Sequence, residues 1–371
     1  MADVTVLGAG IGGLALACAL SQCGLSVRVI EQAPELAEVG AGIQISRNGV
    51  RVLQALGVPL PAPVQSHGTE LRDWARGRLV LTVPPPAAGP TWYVHRADLL
   101  AALRSRAAAR GVVLELGRRA VAVEGNRIDF ADGASETVDV LIGADGVHGV
   151  TRPFVNGPSQ ARFTRQVAWR ALVPARGEPA VAQLWMGPGR HMVLYPLRSG
   201  RLLNIVAVEE RRDWTDDSWR QAGDPTDMRA RFAGFGGAAR AALERVDAAH
   251  LWALHLHPVA DRWHRGSVAL LGDAAHPTLP FLAQGACLAL EDAWVLAACL
   301  ARGQGLDRYE ALRKPRAQAV VAAAGRNAWR FHLRTPLRQV AQLALRSGLV
   351  PPPDFGWVHD YDATAAVPSS P

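Results

Sequence analysis

The sequence predicts an α/β fold in which a Rossmann-like dinucleotide-binding domain carries an inserted antiparallel sheet and is followed by C-terminal helices. Three observations lead to this expectation. A glycine-rich turn separates a strand from a helix near the N-terminus, strand and turn patterns dominate residues 154–264, and residues 307–349 have helical character. With 371 residues, the chain can bury one large core or two smaller ones.

The composition is typical of a soluble globular protein, with 49% hydrophobic and 20% charged residues. No run approaches the roughly 20 apolar residues that span a membrane, and Asp3 stands where a signal peptide would be basic. We therefore expect a cytoplasmic protein without stable membrane association. An amphipathic membrane helix at Leu337–Leu349 is the alternative to packing of that segment on the dinucleotide domain. The four cysteines form no CxxC pair, which predicts buried, reduced thiols and no metal site.

The net charge of +7 has three interpretations. A compositional bias toward arginine would give an ordinary basic surface, since Lys314 is the only lysine. The positive field could instead attract an anionic nucleotide or an aromatic acid. Nucleic-acid binding is disfavoured, because no basic run or aromatic-interleaved patch occurs.

A dinucleotide-binding fingerprint occupies the N-terminus in its required context. A strand at residues 3–7 leads into the GxGxxG turn formed by Gly8, Gly10 and Gly13, and a helix and a second strand follow. The glycines allow a tight turn and a close approach to a pyrophosphate at the helix N-terminus. Glu31 ends the second strand, where it can bind ribose hydroxyls and disfavours a 2′-phosphate. FAD or NAD therefore fits this site better than NADP.

A second strand–loop–helix unit lies late in the chain. An apolar strand at 268–271 is followed by two prolines, which prevent an immediate helix, and a helix then covers 286–300. Asp273 can accept hydrogen bonds from sugar-like hydroxyls. The free N–H groups near Gly285 and Ala286 can face a developing negative charge.

Between these two units the pattern changes to antiparallel strands joined by glycine-containing turns. On the strand that begins at His191, alternation places His191, Val193 and Tyr195 on one face. A histidine and a tyrosine beside a valine suit a pocket that holds a phenol-like ring. A surface histidine, with the tyrosine packed against a helix, is the alternative.

Several motifs together resemble the single-component FAD-dependent aromatic hydroxylases (class A flavoprotein monooxygenases), and within them the salicylate-hydroxylase-like branch. They are G-D-A-A-H-P, P-x-x-A-Q-G and L-E-D-A between residues 272 and 293, H-R-x-D-L at 95–99, G-A-D-G at 143–146 and G-A-G-I at 40–43. The resemblance, together with the fingerprint, places these residues against a non-covalent FAD: Gly8, Gly10, Gly13, Glu31, Gly42, Arg96, Asp145, Gly146, Gly272, Asp273, Pro277, Gln284, Gly285 and Ala286.

Three positions leave alternatives open within this resemblance. Arg47 stands where the family usually has proline, and it would touch a carboxylate, a nicotinamide phosphate or only solvent. Arg96 would contact FAD or would instead pair with Asp98 at the start of its helix. Gly149 stands where the family usually has serine, a change that costs only a few tenths of a kcal/mol at a helix cap.

The resemblance implies a monooxygenase in which NADH or NADPH reduces FAD and O₂ adds to give a flavin C4a-hydroperoxide. One oxygen atom then reaches a small aromatic or heteroaromatic ring, with a hydroxylated aromatic acid favoured. His191 and Tyr195 would hold the ring hydroxyl, and Pro280 and Phe281 would belong to an uncharged loop that excludes water. A flavin epoxidase or dehydrogenase, and a flavin-binding protein without turnover, are the alternatives. A homodimer is left open.

The order of the motifs predicts a discontinuous domain organisation. The FAD-binding domain is expected at residues 1–70, 96–152 and 265–305, the substrate domain at 71–95 and 153–264, a C-terminal helical segment at 306–362, and a disordered tail at 363–371.

Overall fold

The computed structural model describes residues 3–36, 41–87, 89–212, 221–351 and 354–366. The strands are β1 Val4–Leu7, β2 Val27–Ile30, β3 Gly42–Ile45, β4 Val64–Gln65, β5 Thr69–Asp73, β6 Leu79–Val83, β7 Trp92–His95, β8 Val113–Glu115, β9 Ala120–Glu124, β10 Arg127–Phe130, β11 Ser135–Thr137, β12 Val140–Gly143, β13 Arg162–Pro174, β14 Ala182–Gly187, β15 Arg190–Leu197, β16 Leu202–Glu210, β17 Gln221–Gly223, β18 Ala249–Leu256, β19 His264–Arg265 and β20 Val268–Leu270. The helices are α1 Ile11–Gln22, α2 Arg47–Leu56, α3 Arg96–Ala109, α4 Thr151–Asn156, α5 Pro225–Arg231, α6 Gly237–Leu243, α7 Gly285–Ala301, α8 Gly305–Arg330, α9 Leu337–Arg346, α10 Gly356–His359 and α11 Ala363–Ala366.

The first domain is built on a six-stranded sheet in the order β19-β20-β12-β1-β2-β8. Its neighbours pair in parallel except for β19 and β20. Strand β1 is buried along its whole length, which explains why it lacks an alternating polar pattern. Helix α1 is apolar all round because it packs on both α3 and α7. The glycine-rich turn after β1 and the loop after β20 therefore open at the same carboxyl-terminal edge of the sheet.

The second domain is an eight-stranded sheet in the order β17-β18-β13-β16-β15-β14-β5-β6. Strands β14, β15 and β16 form the meander that the turns predict. One face packs through Trp169 and Met192 against Phe232, in a core closed by α5 and α6. The opposite face, which carries His191 and Tyr195, lines a cavity. The predicted fold class, a parallel-sheet domain with an inserted antiparallel sheet, is confirmed.

Strand pairing moves two of the expected boundaries. Strand β5 begins at Thr69 and pairs with β14 in the second domain, whereas β7 pairs with β3 and β4 in a separate three-stranded sheet. The early excursion into the substrate sheet therefore covers 69–83 rather than 71–95. At the other end, Ala363–Ala366 is helical rather than disordered, because Ala363 is buried in the first domain's core. Residues 367–371 of the expected tail, and the first residue of the G-A-G-I segment at position 40, lie outside the described residues.

Helix α9 packs against β6 of the substrate sheet, not on the dinucleotide domain as expected. Arg338 anchors it through an ion pair with Asp73 at 3.4 Å. Leu337, Val340 and Leu343 are exposed on its outer side. No helix within the described ranges is both long and apolar enough to cross a bilayer.

All four cysteines are free thiols. Cys18, Cys287 and Cys299 are buried as expected, whereas Cys23 is exposed because it ends α1 at the surface. Burial raises the pKa of both Cys18 and Cys287 to about 11, so these two are neutral, unreactive thiols at physiological pH.

A buried ion network fixes α7 against α8. Arg313 donates from Nε to Asp292 at 2.7 Å, and its NH2 lies 2.7 Å from Glu291 in an ion pair. Asp292 also bonds His276 of the loop after β20. Burial alone would raise the pKa of Asp292, but the charges of His276 and Arg313 hold it below its usual range. The Glu-Asp pair of the L-E-D-A motif is therefore structural.

Candidate active site

A cavity of about 1970 Å³ lies between the two domains. The glycine-rich turn, the loop after β20 and the N-terminus of α7 line one end. The free face of the eight-stranded sheet lines the other, and α9 lies at its edge. The two predicted strand–loop–helix units therefore converge on one site, together with the sheet that the sequence assigns to the substrate.

The glycines of the fingerprint are required for two different reasons. A Cβ on Gly13 would lie 1.9 Å from the carbonyl oxygen of Gly8, so only glycine allows α1 to pack this closely on β1. Gly8 has a φ of +103° in addition. Gly10 differs, because it lines the cavity and no heavy atom of the described structure lies within 4 Å of the position that its Cβ would take. Gly10 thus leaves open space beside a helix N-terminus, which a pyrophosphate would fill.

Glu31 braces this cradle from the end of β2. Its carboxylate accepts hydrogen bonds from the backbone N–H groups of Ala9 at 2.8 Å and Ala33 at 2.9 Å. Gln32, the next residue, lines the cavity. The side chain that the fingerprint assigns to ribose therefore also orders the glycine-rich turn itself.

Asp273 lies in the loop after β20, and its side chain borders the cavity. The cavity itself is surrounded by protein, and this desolvation raises the pKa of the Asp273 carboxyl, although the charges of His276 and Arg96 act in the opposite direction. Arg96 lines the same cavity. Asp98, the alternative partner of Arg96, instead makes a bidentate pair with Arg198 at 2.7 and 2.8 Å.

The G-A-D-G segment differs from the expected arrangement at Asp145. Its backbone lines the cavity together with Gly146, but the carboxylate accepts from the N–H of Thr151 at 3.0 Å and from its hydroxyl at 2.5 Å. This carboxylate caps the start of α4 and is already satisfied. A Cβ on Gly149 would lie 2.0 Å from the Asp145 carboxyl carbon, so glycine at 149 accompanies this inward orientation.

Gln284, Gly285 and Ala286 line the cavity at the start of α7, as do Gly272 and Pro277. The Gln284 side chain is turned away into a buried network, where it donates to Ser46 at 3.0 Å and accepts from Asn48 at 3.0 Å. The hydroxyl of Ser46 donates to Asn48 and does not cap α2. The backbone at the start of α7, rather than the Gln284 side chain, therefore faces the cavity.

Gly42 is the point where the substrate sheet meets the cofactor side. Its N–H donates to Asn204 at 2.8 Å, and a Cβ at this position would lie 2.7 Å from the Tyr195 ring. Glycine here lets the strand that carries Tyr195 approach β3 closely.

His191 and Tyr195 both face the cavity from β15. Burial raises the pKa of Tyr195 well above its ordinary value, opposed by the charge of Arg170, so the phenol is protonated. The His191 ring lies 5.7 Å from Phe281 and 5.4 Å from Phe331, measured between ring centroids. Pro280 and Phe281 line the same space, as the loop composition predicts.

Arg170 is a site residue that no sequence motif indicates. This residue lies on β13, lines the cavity, and stacks over Trp252 with its guanidinium carbon 4.4 Å from the ring centroid. The signal available was an arginine that alternates with the apolar residues Trp169 and Ala171 on a 13-residue, largely apolar strand. Arg47, the expected alternative cation, is exposed and does not line the cavity.

The residues present fit FAD. Gly10 leaves room for phosphates at a helix N-terminus, Asp273 presents a carboxylate to the cavity, and the start of α7 supplies N–H groups. The cavity continues from this cradle to the face that carries Arg170, His191 and Tyr195. A cofactor held in the cradle and a small ring held on the sheet would share one cavity.

A family model described as "FAD binding domain" matches residues 1–324. 3-Amino-4-hydroxybenzoate 2-monooxygenase of Streptomyces cremeus is 39% identical over 354 residues, covering 89% of this chain and 88% of that protein. Salicylate hydroxylase of Pseudomonas putida is 33% identical over 410 residues, covering 98% and 94%. The solved structure of Klebsiella pneumoniae HpxO complexed with FAD and uric acid matches with a TM-score of 0.83 at 26% identity, covering 99% of this chain and 97% of that one.

Proposed function

Because the chain belongs to the FAD-dependent aromatic hydroxylases, and is therefore an FAD-dependent monooxygenase, we propose that its substrate is a small aromatic acid that carries a ring hydroxyl. The observation that carries this proposal is the combination on one sheet face of a cation, Arg170, with an acid–base pair, Tyr195 and His191. Both relatives are named for acids of this class, which supports it.

FAD, when bound, supplies the oxygen chemistry at the expense of NAD(P)H and O₂. The protein's part is to bind, orient and shield. Arg170 pairs with the substrate carboxylate, for which a guanidinium is well suited. The neutral imidazole of His191 accepts the proton of the ring hydroxyl, and the protonated Tyr195 donates to the resulting oxygen anion. The ring is thereby more electron-rich and more nucleophilic.

Two further groups act on the surroundings of the reaction. The N-terminus of α7, with free N–H groups at Gly285 and Ala286, stabilises negative charge on the cofactor side. Phe281 and Pro280 form an uncharged wall that keeps water out.

The test compares acids with their neutral analogues. FAD-loaded protein is given 3-amino-4-hydroxybenzoate, salicylate and 3-hydroxybenzoate, and the amide of each, while NAD(P)H oxidation and hydroxylated product are measured. At least one acid should stimulate both. Arg170→Met should then raise the KM for that acid roughly 10–100-fold, the loss of a charged hydrogen bond, with little change for the amide.

Arg176→Met is the matched control, since Arg176 is exposed on a turn away from the cavity. Stimulated oxidation without hydroxylated product for every acid would reject the substrate class and favour a flavoprotein without productive turnover. Equal KM changes for the acid and the amide would reject Arg170 as the carboxylate partner.

A cytoplasmic location and a homodimer are proposed in addition. Four free thiols suit a reducing compartment, which cell fractionation tests. Light scattering of the FAD-loaded protein tests the dimer.

A further inference from the structure

A chain of hydrogen-bonding groups leads away from the cavity behind His191. The Nδ1 atom of His191 lies 2.7 Å from Nε2 of His332, and Nδ1 of His332 lies 3.3 Å from Oε1 of Glu210. Since Nδ1 of His191 faces His332, its other ring nitrogen, Nε2, is left for the cavity that the ring lines. The three groups come from β15, from the segment after α8 and from the end of β16.

This chain runs from the interior to the surface. His191 is 2% exposed and His332 is 4% exposed, whereas the Glu210 side chain is 39% exposed. Phe281 and Phe331 pack beside His191, so the ring has apolar neighbours on the cavity side and His332 as its polar neighbour on the other. The two histidines and Glu210 therefore offer a proton a path from the cavity to solvent through protein groups.

Backbone hydrogen bonds hold His332 and Glu210 in place. The N–H of Gly189 donates to the carbonyl of His332 at 3.2 Å, and the N–H of Glu210 donates to the carbonyl of Gly189 at 2.9 Å. Arg334 donates to Oε2 of Glu210 at 2.8 Å, which leaves Oε1 for His332. The turn between β14 and β15 thus fixes both the histidine and the carboxylate.

The groups around the chain favour neutral imidazoles. Burial lowers the pKa of His191, and the neighbouring His332 lowers it further. Burial also lowers the pKa of His332 to about 4. The charge of Glu210 opposes this second shift, whereas Arg190 and Arg334 reinforce it. A neutral imidazole can accept a proton on one nitrogen while it releases one from the other. Nε2 of Gln166 also lies 3.3 Å from Nδ1 of His332, while Oε1 of the same amide has no hydrogen-bond partner. Exchange of the amide oxygen and nitrogen would let Oε1 accept from the N–H that also faces Glu210, which is the arrangement that proton transfer from His332 to Glu210 requires.

We propose that His191, His332 and Glu210 form a proton relay that carries the proton of the substrate hydroxyl from the cavity to solvent. The relay rests on the proposed substrate class. The substrate O–H bond breaks as Nε2 of His191 takes the proton. The Nδ1 proton of His191 passes to Nε2 of His332, and the Nδ1 proton of His332 passes to Glu210, which releases it to water. One proton leaves the substrate and one enters solvent. In the reverse direction a proton taken from water passes through Glu210 and His332, His191 gives its Nε2 proton to the product oxygen, and both original tautomers are restored.

His332 and Glu210 are positioning and relay residues, since only His191 faces the substrate. If His332 only fills space behind His191, His332→Gln should leave the rate of proton transfer unchanged, because it keeps a similar size and polarity. If His332 is part of a relay, the rate should fall, because the new side chain can still bond Nδ1 of His191 but cannot pass a proton. Glu210→Gln keeps the shape of that residue and removes the terminal proton acceptor.

The test follows a proton directly. FAD-loaded protein is mixed rapidly with 4-hydroxy-3-nitrobenzoate, whose phenolate is coloured, in weakly buffered solution with a pH indicator, at a pH where the free phenol is protonated. Wild type should show phenolate formation and proton release together. His332→Gln and Glu210→Gln should slow both by roughly tenfold or more, the scale of a lost acid–base step, while the affinity for the probe changes less.

His264→Gln is the matched control, because His264 pairs with Asp307 at 3.1 Å outside the cavity, and it should behave as wild type. Wild-type rates in both relay variants, with phenolate still formed, would overturn the relay and leave the proposed function standing. A wild-type protein that binds no phenolate would instead reject the substrate class, and the relay with it. Imidazole that accelerates His332→Gln but not wild type would support the relay further.

Discussion

The cofactor cradle and the substrate face border the same cavity but are built in different ways. Each part of the cradle is a short segment whose residues are close in sequence, such as the turn from Gly8 to Gly13 or the start of α7. The substrate face takes Arg170 from β13 and both His191 and Tyr195 from β15. His332, which contacts His191, comes from the segment after α8. The cradle therefore depends on local turn geometry, whereas the substrate face depends on strand register.

The support behind the two regions differs as well. The cradle is supported by buried ion pairs between α7 and α8, in which Arg313 pairs with Glu291 and Asp292. The substrate sheet is supported on its opposite face by a hydrophobic core that contains Trp169 and Phe232. Changes behind the cradle should consequently affect stability, and changes on the substrate face should affect chemistry with little loss of stability.

The largest effect is expected from Arg313→Met. The substitution leaves Glu291 and Asp292 buried with fewer partners, so the free energy of unfolding should fall by roughly 3–5 kcal/mol. Urea denaturation of the FAD-loaded protein measures it. Arg240→Met, which breaks an exposed pair with Glu244, should change the same quantity by less than about 1 kcal/mol. Similar losses for both would show that the network does not stabilise the cradle.

A pair of alanine substitutions separates packing from cofactor space. Gly13→Ala should destabilise the apoprotein, because its Cβ meets the Gly8 carbonyl, and so FAD binding should be lost with the fold. Gly10→Ala should leave the apoprotein melting temperature unchanged and weaken FAD by roughly tenfold or more, a loss of about 1.4 kcal/mol. Melting curves with and without FAD, together with fluorescence titration of FAD, distinguish the two. Unchanged affinity in Gly10→Ala would contradict the placement of the pyrophosphate.

On the substrate face, Phe281→Ala should uncouple the reaction. Removing the ring beside His191 admits water, so NAD(P)H oxidation should persist while hydroxylated product falls and H₂O₂ rises. The product and peroxide formed per NAD(P)H are the quantities to measure, with a melting curve and FAD content as controls. A stable, FAD-replete variant that stays coupled would show that this loop does not seal the site.

The smallest effect concerns acid stability. Burial lowers the pKa of His257 to about 4 from its ordinary value of 6.5, and Arg152, His148 and His255 contribute. Between those values the unfolded chain binds the proton and the native chain does not, so stability falls as the pH drops from 6.5 toward 4. His257→Gln should lose less stability across this window, as measured by urea denaturation at several pH values. Parallel profiles for the two proteins would contradict the shift.

The cradle could be predicted from sequence because each of its parts lies within one turn. Asp273 and the start of α7 line the cavity. The Glu31 carboxylate instead binds the backbone N–H groups of Ala9 and Ala33. Asp145 was predicted from its motif, but its carboxylate turns to Thr151, an orientation that depends on glycine at 149.

The substrate face could be predicted only in part. Alternation along β15 places His191 and Tyr195 correctly, since it is a property of one strand. Arg170 and His332 become neighbours of that strand only through sheet order and the return of the chain after α8, and no local pattern contains that information. Arg47, close in sequence to the cradle, is exposed instead.

The central claim is that one cavity holds the cofactor in the cradle and a hydroxylated aromatic acid on the sheet face. A crystal structure of the FAD-loaded protein with 3-amino-4-hydroxybenzoate tests it most directly. The account predicts the carboxylate within hydrogen-bond distance of Arg170, the hydroxyl between His191 and Tyr195, and the ring beside Phe281. A ring bound away from β15, for example beside His148 and His257 at the other end of the cavity, would contradict it.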